Sequence, residues 1–445
     1  MSVRLRAAPV GDTRATDGAE MFRLIEELFP ICRSITGEGL RQTLHRIACQ
    51  VPLVLHEVPS GTKVLDWTIP DEWNVKGAYI AALDGQPIVD FANSNLHLVQ
   101  YSHALDRIVG RDELLRHIHT MPERPAWIPY RTSYYSKGWG FCLAERQARS
   151  LTDAAYRVVI DASLAPGSLT YGELAIPGES EAEFLFSCHC CHPSLANDNL
   201  AGIAVATWLA SRIAAAPRRM SYRFLFIPGT IGSLAWLAAN EALVPRVTHG
   251  LVLSCLGDPG AFTYKQSRQG NAEIDRLLTH VLRHGGAPHV VQPFIPYGYD
   301  ERQYCSPGFD MPVGCLMRSP NGSYPEYHSS ADDLSLVRPD CLQQSLDMLW
   351  QVVEAVEGNV TYLSQNPKGE PQLGRRGLYR AIGGQQAQEF DQMTLLWVLN
   401  LADGKHSLLD MAERAQLPLP KLRAAADALA AAKLILPAAA AAHKG

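Results

Sequence analysis

Between Phe184 and Gly202 the chain reads FLFSCHCCHPSLANDNLAG. An apolar run ends in two histidines and three cysteines, and six residues later an aspartate stands between two asparagines. Imidazoles and carboxylates in such company can hold a divalent metal. A hydrolytic zinc site needs His and carboxylate ligands, an open position for water, and a carboxylate to take the water's proton. Strands bury apolar runs and release polar side chains at their C-terminal ends, where open α/β sheets build their sites. His189 would then end a strand, and Asp198 would lie on the loop entering the next helix. Two further segments offer the same residue types. Asp258 follows HGLVLSCLG, again at the end of an apolar run. His328 lies in PEYHSSADDL, on a loop before a helix whose start is marked by Ser329, Ser330 and Asp332.

Each of these residues has a plainer reading. His189, beside cysteines, could be a satisfied buried side chain. Asp198 could cap the helix LAGIAVATWLA. Asp258, before Pro259-Gly260, could form a turn, and His192-Pro193 would shape its loop. Yet three separate segments that each end an apolar run in His or Asp are more than core packing requires. Cys188 to His192 also fits C-x-x-C-H, the haem c attachment pattern, but that chemistry belongs to exported proteins and this run follows a buried strand. A structural Cys/His zinc fails on geometry, because one short run cannot aim four ligands tetrahedrally.

The elements that must position these residues are legible as alternating textures. Residues 1–18 read as a disordered lead-in, and 19–50 as helix, turn, helix. From 57 to 150 short β-rich pieces such as KVLDWTI and GAYIAAL alternate with turn signals, and aromatics crowd WIPYRTSYYSKGWGF. That stretch reads as an inserted β-rich domain whose aromatic run either packs its own sheet or covers a cleft. Residues 19–56 and 151–362 form the α/β domain around it. Strand-like RVVIDAS, EFLFS, YRFLFIP and HGLVLSC alternate there with helices, which predicts a largely parallel sheet flanked on both faces. NPKGEPQLG, residues 366–374, is a linker. The segment 375–436 reads as three short helices and a strand resembling a winged helix, and PAAAAAHKG is a low-complexity tail.

Composition bounds the rest. At 445 residues, with 47% hydrophobic and 19% charged residues, the chain is globular and long enough for two or three domains. A net charge of -5 argues against nucleic acid or an anionic membrane as partner. The C-terminal segment 374–445 holds nine Lys and Arg against six Asp and Glu, too small a surplus for a recognition stripe. Without a secretory signal, the ten cysteines are expected to be reduced and the compartment to be the cytoplasm.

HCCHPSLANDNLAG, the GDPG at 257–260, YGYDERQYCSPGFDMPVG at 297–314 and EYHSSADDL at 326–334 together resemble bacterial aminopeptidase-like proteins. These are relatives of the di-zinc aminopeptidases, with an inserted β-rich domain and a C-terminal winged helix, found in surface-polysaccharide and natural-product gene neighbourhoods. The resemblance spans about Glu20 to Leu436. It implies an α/β fold with a zinc-aminopeptidase-like mixed sheet and one or two zinc ions as cofactor. The implied partner is a peptide or amino-acid-derived small molecule cleaved at an N-terminal peptide or related amide bond. By motif position His189 and Asp258 would hold the first metal, Asp198 would bridge, and His328 would hold the second.

This chain departs from the family pattern twice. The orienting aspartate two residues after the first histidine is here Cys191. The strand end that usually reads Pro-Glu-Thr-Ile-Gly-Ser has Gly229 in place of the glutamate, and loss of a general base typically costs ~10²–10⁴-fold in rate. Asp300 or Glu301 could substitute as the catalytic carboxylate, and Arg302 and Tyr304 could hold a substrate carboxylate, unless the whole segment is a solvated turn. The alternative to hydrolysis is a catalytically impaired scaffold that binds a metal or ligand. A transcription regulator working through the C-terminal module is the third reading.

Overall fold

The computed structural model describes residues 14–378 and 390–438. Of the expected lead-in, residues 1–13 lie outside this set, and a helix already begins at Arg14 (Arg14–Leu28). Residues 439–445 of the expected tail also lie outside the described residues.

Eight strands form the large sheet. From edge to edge they are Val54–Pro59, Ser168–Ile176, Ser221–Ile227, Glu183–His189, Val247–Leu253, Val313–Met317, Phe262–Lys265 and His289–Gln292. The four in the middle, Ser221–Ile227 to Val313–Met317, pair in parallel. Antiparallel strands extend the sheet on either side. Every residue of Glu183–His189 is buried. That is why this strand reads as a continuous apolar run rather than an alternating one, since helices cover both faces of such a sheet. The helix Gly202–Ala214, entered from the loop after His189, is buried over most of its surface.

The inserted region builds an antiparallel sheet in the order Pro87–Asp90, Glu72–Ala81, Ala155–Ala165, Leu105–Gly110. RVVIDAS, read from sequence as a strand of the α/β domain, pairs here instead, with Glu72–Ala81 and Leu105–Gly110. The reason lies in its alternation. Tyr156, Val158 and Ile160 are buried while Arg157 and Asp161 are exposed, the pattern of a sheet with one wet face. A short apolar run alone does not tell the two sheets apart. The insert is not a separate globule. One buried cluster runs from Trp73, Tyr101 and Tyr156 to Leu185, Ile227 and Trp236 of the α/β layer.

The chain divides into two compact units, the second made of 273–289 and the residues from 348 onward. Its helices Gln392–Leu401, Leu408–Ala415 and Leu419–Ala431 accompany a three-stranded sheet of Asp403–Ser407, Thr361–Ser364 and Ile435–Pro437. Ser407 and Asp410 cap the helix Leu408–Ala415 reciprocally. Asp391 caps Gln392–Leu401 through the backbone N–H of Thr394. Among the described residues, no helix is long and apolar enough to cross a membrane.

Candidate metal centre

The four parallel strands discharge their C-terminal ends into one region, and their loops carry the chemistry. Glu183–His189 ends in His189 itself, with His192 and Asp198 on the loop that follows. Ser221–Ile227 leads to Gly229, Val247–Leu253 to Cys255 and Asp258, and Val313–Met317 to the loop bearing His328.

Asp198 is the hub. It is fully buried, and it does not cap the following helix. Its Oδ1 lies 2.8 Å from His189 Nε2, and its Oδ2 lies 3.2 Å from His192 Nδ1 and 3.0 Å from His328 Nε2. Burial opposes ionisation of this carboxyl. The charge of His192 and the hydrogen bond with His189 nevertheless hold it well below the usual carboxylate range. Burial pushes the His189 imidazole down to about 4, so at neutral pH it offers a lone pair rather than a charge. Among the described residues, His189, His192 and Asp198 place their ligand atoms all within 4.8 Å of one another.

Two atoms test whether this set fits a metal. Asp198 Oδ2 and His328 Nε2 are close, yet neither makes a hydrogen bond. Buried polar atoms are nearly always satisfied. A carboxylate oxygen and an imidazole nitrogen that approach without pairing suit two groups sharing a third partner, and this donor set of imidazoles and a carboxylate suits zinc. The set therefore fits the metal.

The loop is held by side chains that sequence reasoning treated as flanking. Asn199 donates to the Leu253 carbonyl (2.9 Å) and accepts the Cys255 N–H (3.2 Å). Asn197 donates to Asp258 (2.9 Å) and accepts the Gly257 N–H (2.9 Å). Asp332 accepts the N–H groups of Asn197 and Asp198 at 2.6 and 3.0 Å. The helix expected directly after His328 begins only at Pro339 (Pro339–Gly358), so Asp332 serves the loop that carries Asp198 rather than a helix start. Its carboxyl is pushed up to about 7, mainly by burial.

The remaining predicted residues are placed as follows. Asp258 gives its oxygens to Asn197, to Ser319 (Oγ at 2.6 Å) and to the Gly260 N–H at 2.7 Å, and it is not in the compact His/Asp group. Asp300 is buried at the start of the helix Ile231–Ala239, where its Oδ1 accepts the Thr230 N–H (2.6 Å) and the Ser233 hydroxyl (3.0 Å). Those bonds hold Thr230 at φ 65°, a conformation rarely adopted by a β-branched residue. Glu301 pairs with Lys265 and accepts the Tyr299 N–H. Tyr304 is buried, with its hydroxyl 2.9 Å from that of Ser187. Arg302 is half-buried, and its Nε has no hydrogen-bond partner.

Several neighbours carried no signal in the sequence. Arg33 is fully buried and donates to the His192 carbonyl at 2.8 Å. Tyr130, from the aromatic run of the insert, sets its ring 5.1 Å from those of both His192 and His328. Its N–H donates to the His328 carbonyl at 2.8 Å, so the run reaches the site. Tyr299 stacks on His189, with ring centroids 3.7 Å apart. Of the three, only Tyr130 lay in a segment marked by its density of aromatics.

Comparison with known proteins places this architecture. The model of a family described as a domain of unknown function (DUF4910) matches residues 22–359, and a winged helix-turn-helix model matches 360–437. A Clostridium acetobutylicum protein, described as a polysaccharide biosynthesis protein with an aminopeptidase-like domain, is 48% identical over 418 residues. The match covers 94% of this chain and 96% of the relative. A crystal structure of a candidate peptidase from the same organism is 46% identical over 96% of this chain and 97% of that one, with a TM-score of 0.91. BSAP, a zinc aminopeptidase from Bacillus subtilis, is 13% identical with a TM-score of 0.55, covering 79% of this chain and 96% of that one. A peptidase M28 precursor from Shewanella amazonensis is 12% identical with a TM-score of 0.54, covering 78% and 96%. The last two share the fold. The chain belongs to the DUF4910 family, with an aminopeptidase-like α/β domain followed by a winged helix-turn-helix.

Proposed function

We propose that this protein is a zinc-dependent hydrolase that cleaves an N-terminal peptide or related amide bond in a small, amino-acid-bearing molecule. The relative's description favours a role in polysaccharide assembly. The observation that carries this reading is the approach of Asp198 Oδ2 and His328 Nε2 to 3.0 Å without a hydrogen bond, beside the buried group of His189, His192 and Asp198. His189, Asp198 and His328 would hold the ion, with His192 beside them. When bound, zinc supplies Lewis acidity that polarises an amide carbonyl and makes water a better nucleophile. The chain's own residues do the rest. Asn197, Asn199 and Asp332 fix the loop that carries Asp198. Tyr130 walls one side of the site and narrows it toward small substrates. His328, with 35% of its side chain accessible, marks the open side. Of the two carboxyls considered for proton handling, Asp300 is the better candidate. Glu301 is neutralised by Lys265, whereas Asp300 Oδ2 has no hydrogen-bond partner and burial lifts its carboxyl to about 7, the range a general base needs.

A second reading has its own observation. A side chain at position 229 would overlap the ring and hydroxyl of Tyr299, so the expected glutamate has no room in this arrangement. A metal-holding protein that binds an aminoacyl ligand without cleaving it is consistent with that. Elemental mass spectrometry of the purified full chain, followed by a screen of aminoacyl amides and short peptides, separates the readings. Bound zinc with turnover supports the hydrolase. Bound zinc without turnover supports the scaffold, and no zinc after reconstitution removes both.

A further inference from the structure

The two departures from the family pattern, Cys191 and Gly229, are 38 residues apart in the chain, yet they meet on one side chain. The Tyr299 hydroxyl lies 3.7 Å from Cys191 Sγ, and Cys191 Sγ accepts the Gly229 N–H at 3.3 Å. The Tyr299 ring and hydroxyl fill the space in which a Cβ at 229 would begin. From there Tyr299 reaches two imidazoles. Its ring stacks on His189 at an interplanar angle of 29°, and its hydroxyl lies 3.2 Å from His192 Nε2. The opposite nitrogen of His192 faces Asp198. Tyr299 is itself clamped. Its N–H donates to Glu301, Glu301 pairs with Lys265, and the adjacent Asp300 holds the backbone of Thr230, next to Gly229.

We propose that Tyr299 is the positioning residue for the imidazoles of this site, and that Cys191 and Gly229 are small so that its ring can enter. A metal-binding imidazole works only when its ring plane and its free nitrogen are fixed by a partner on its far side, a task that carboxylates and carbonyls usually perform. Here the Asn199 amide lies 3.3 Å from the far nitrogen of His189, the Tyr299 ring fixes the plane of that imidazole, and the Tyr299 phenol meets the free nitrogen of His192. The segment YGYDE thereby acquires a structural logic. Tyr299 orients, while Asp300 and Glu301 lock it against the two loops it touches. The inference rests on the metal reading above.

The test compares the wild-type full chain with Y299F, G229A, Y299A and the double variant G229A/Y299A. Zinc affinity is measured by chelator competition, and the visible spectrum is recorded after cobalt(II) substitution. Y299F removes one hydroxyl and should lower zinc affinity ~10–100-fold. It should also shift the cobalt bands while leaving the melting temperature of the metal-free protein within a few degrees of wild type. G229A should cost a similar factor, because its methyl group displaces the ring, and should cost nothing further once Tyr299 is alanine. If G229A does not fold, Y299F alone decides. Equal zinc affinity and an unchanged cobalt spectrum in Y299F overturn the proposal and leave the metal reading intact. Additive effects of G229A and Y299A overturn it as well. A wild-type protein that takes up neither metal sinks both ideas.

Discussion

The loop after Glu183–His189 and the loop after Ser221–Ile227 leave adjacent parallel strands at the same end of the sheet, but they have had opposite fates. The first carries a carboxylate and imidazoles in a buried group, and Asn197, Asn199 and Asp332 tie its backbone down. The second has no side chain at Gly229, and an aromatic ring from Tyr299 has filled the gap. A protein interior packs close to crystal density, so the space beside a residue without a side chain does not persist as a hole. It becomes occupied, and the occupant imposes a new geometry on its neighbours. Hydrogen bonding organises the first loop; packing organises the second.

The comparison breaks most decisively at its hub. D198N should lower zinc affinity by more than the ~100-fold that loss of an outer hydrogen bond to a ligand reaches, because one neutral amide would replace the carboxylate shared by His189, His192 and His328. Metal per chain after dialysis reads this directly, and full retention would mean that Asp198 is not a ligand.

G229E probes the filled loop. A carboxylate side chain pressed into the Tyr299 ring should destabilise the protein by about 1–3 kcal/mol, the usual cost of overpacking, as measured by urea unfolding. G229E/Y299A should recover most of that loss. If G229E is as stable as wild type, the ring is free to leave and the two loops are less different than they look.

The smallest effect is expected in the pH dependence of stability. Asp300 has its carboxyl raised to about 7 from an ordinary value of 3.8, chiefly by burial, so the folded state binds this proton more tightly than the unfolded chain. Its stabilising contribution is present below about pH 4 and is lost as pH rises through about 7. D300N preserves an acceptor for Thr230 and Ser233 and cannot ionise. The melting temperature of the metal-free variant should therefore fall less between pH 4 and 8 than that of wild type. Parallel curves would mean that Asp300 ionises in solvent.

The readability of the first loop has a physical source. A strand buried on both faces must be apolar throughout, so the polar residues that interrupt FLFS stand out, and His189 and Asp198 were visible for that reason. His192 was read as shaping its loop because the following proline supplies a sufficient local account, yet its ring lies 3.2 Å from Asp198. Asp258 looked equivalent to Asp198 by position, but Asn197 and Ser319 absorb its carboxylate. Arg33 gave no sign at all. Its burial depends on contacts with a carbonyl 159 residues away, and no local pattern encodes that.

The amino-acid order by itself determined the parallel core, because continuous apolar runs separated by helical stretches admit few other arrangements. It also determined which strand ends carry imidazole and carboxylate, and the absence of a side chain at 229. Tertiary structure alone decided what that absence became. Sequence records that glycine leaves space, but which ring enters it depends on how a segment 70 residues later is clamped by Asp300 against Thr230. It also depends on Lys265 holding Glu301. Strand ends follow from local burial, which is written in runs of residues. The filling of a cavity follows from dense packing between distant segments, which is settled only when the chain has folded.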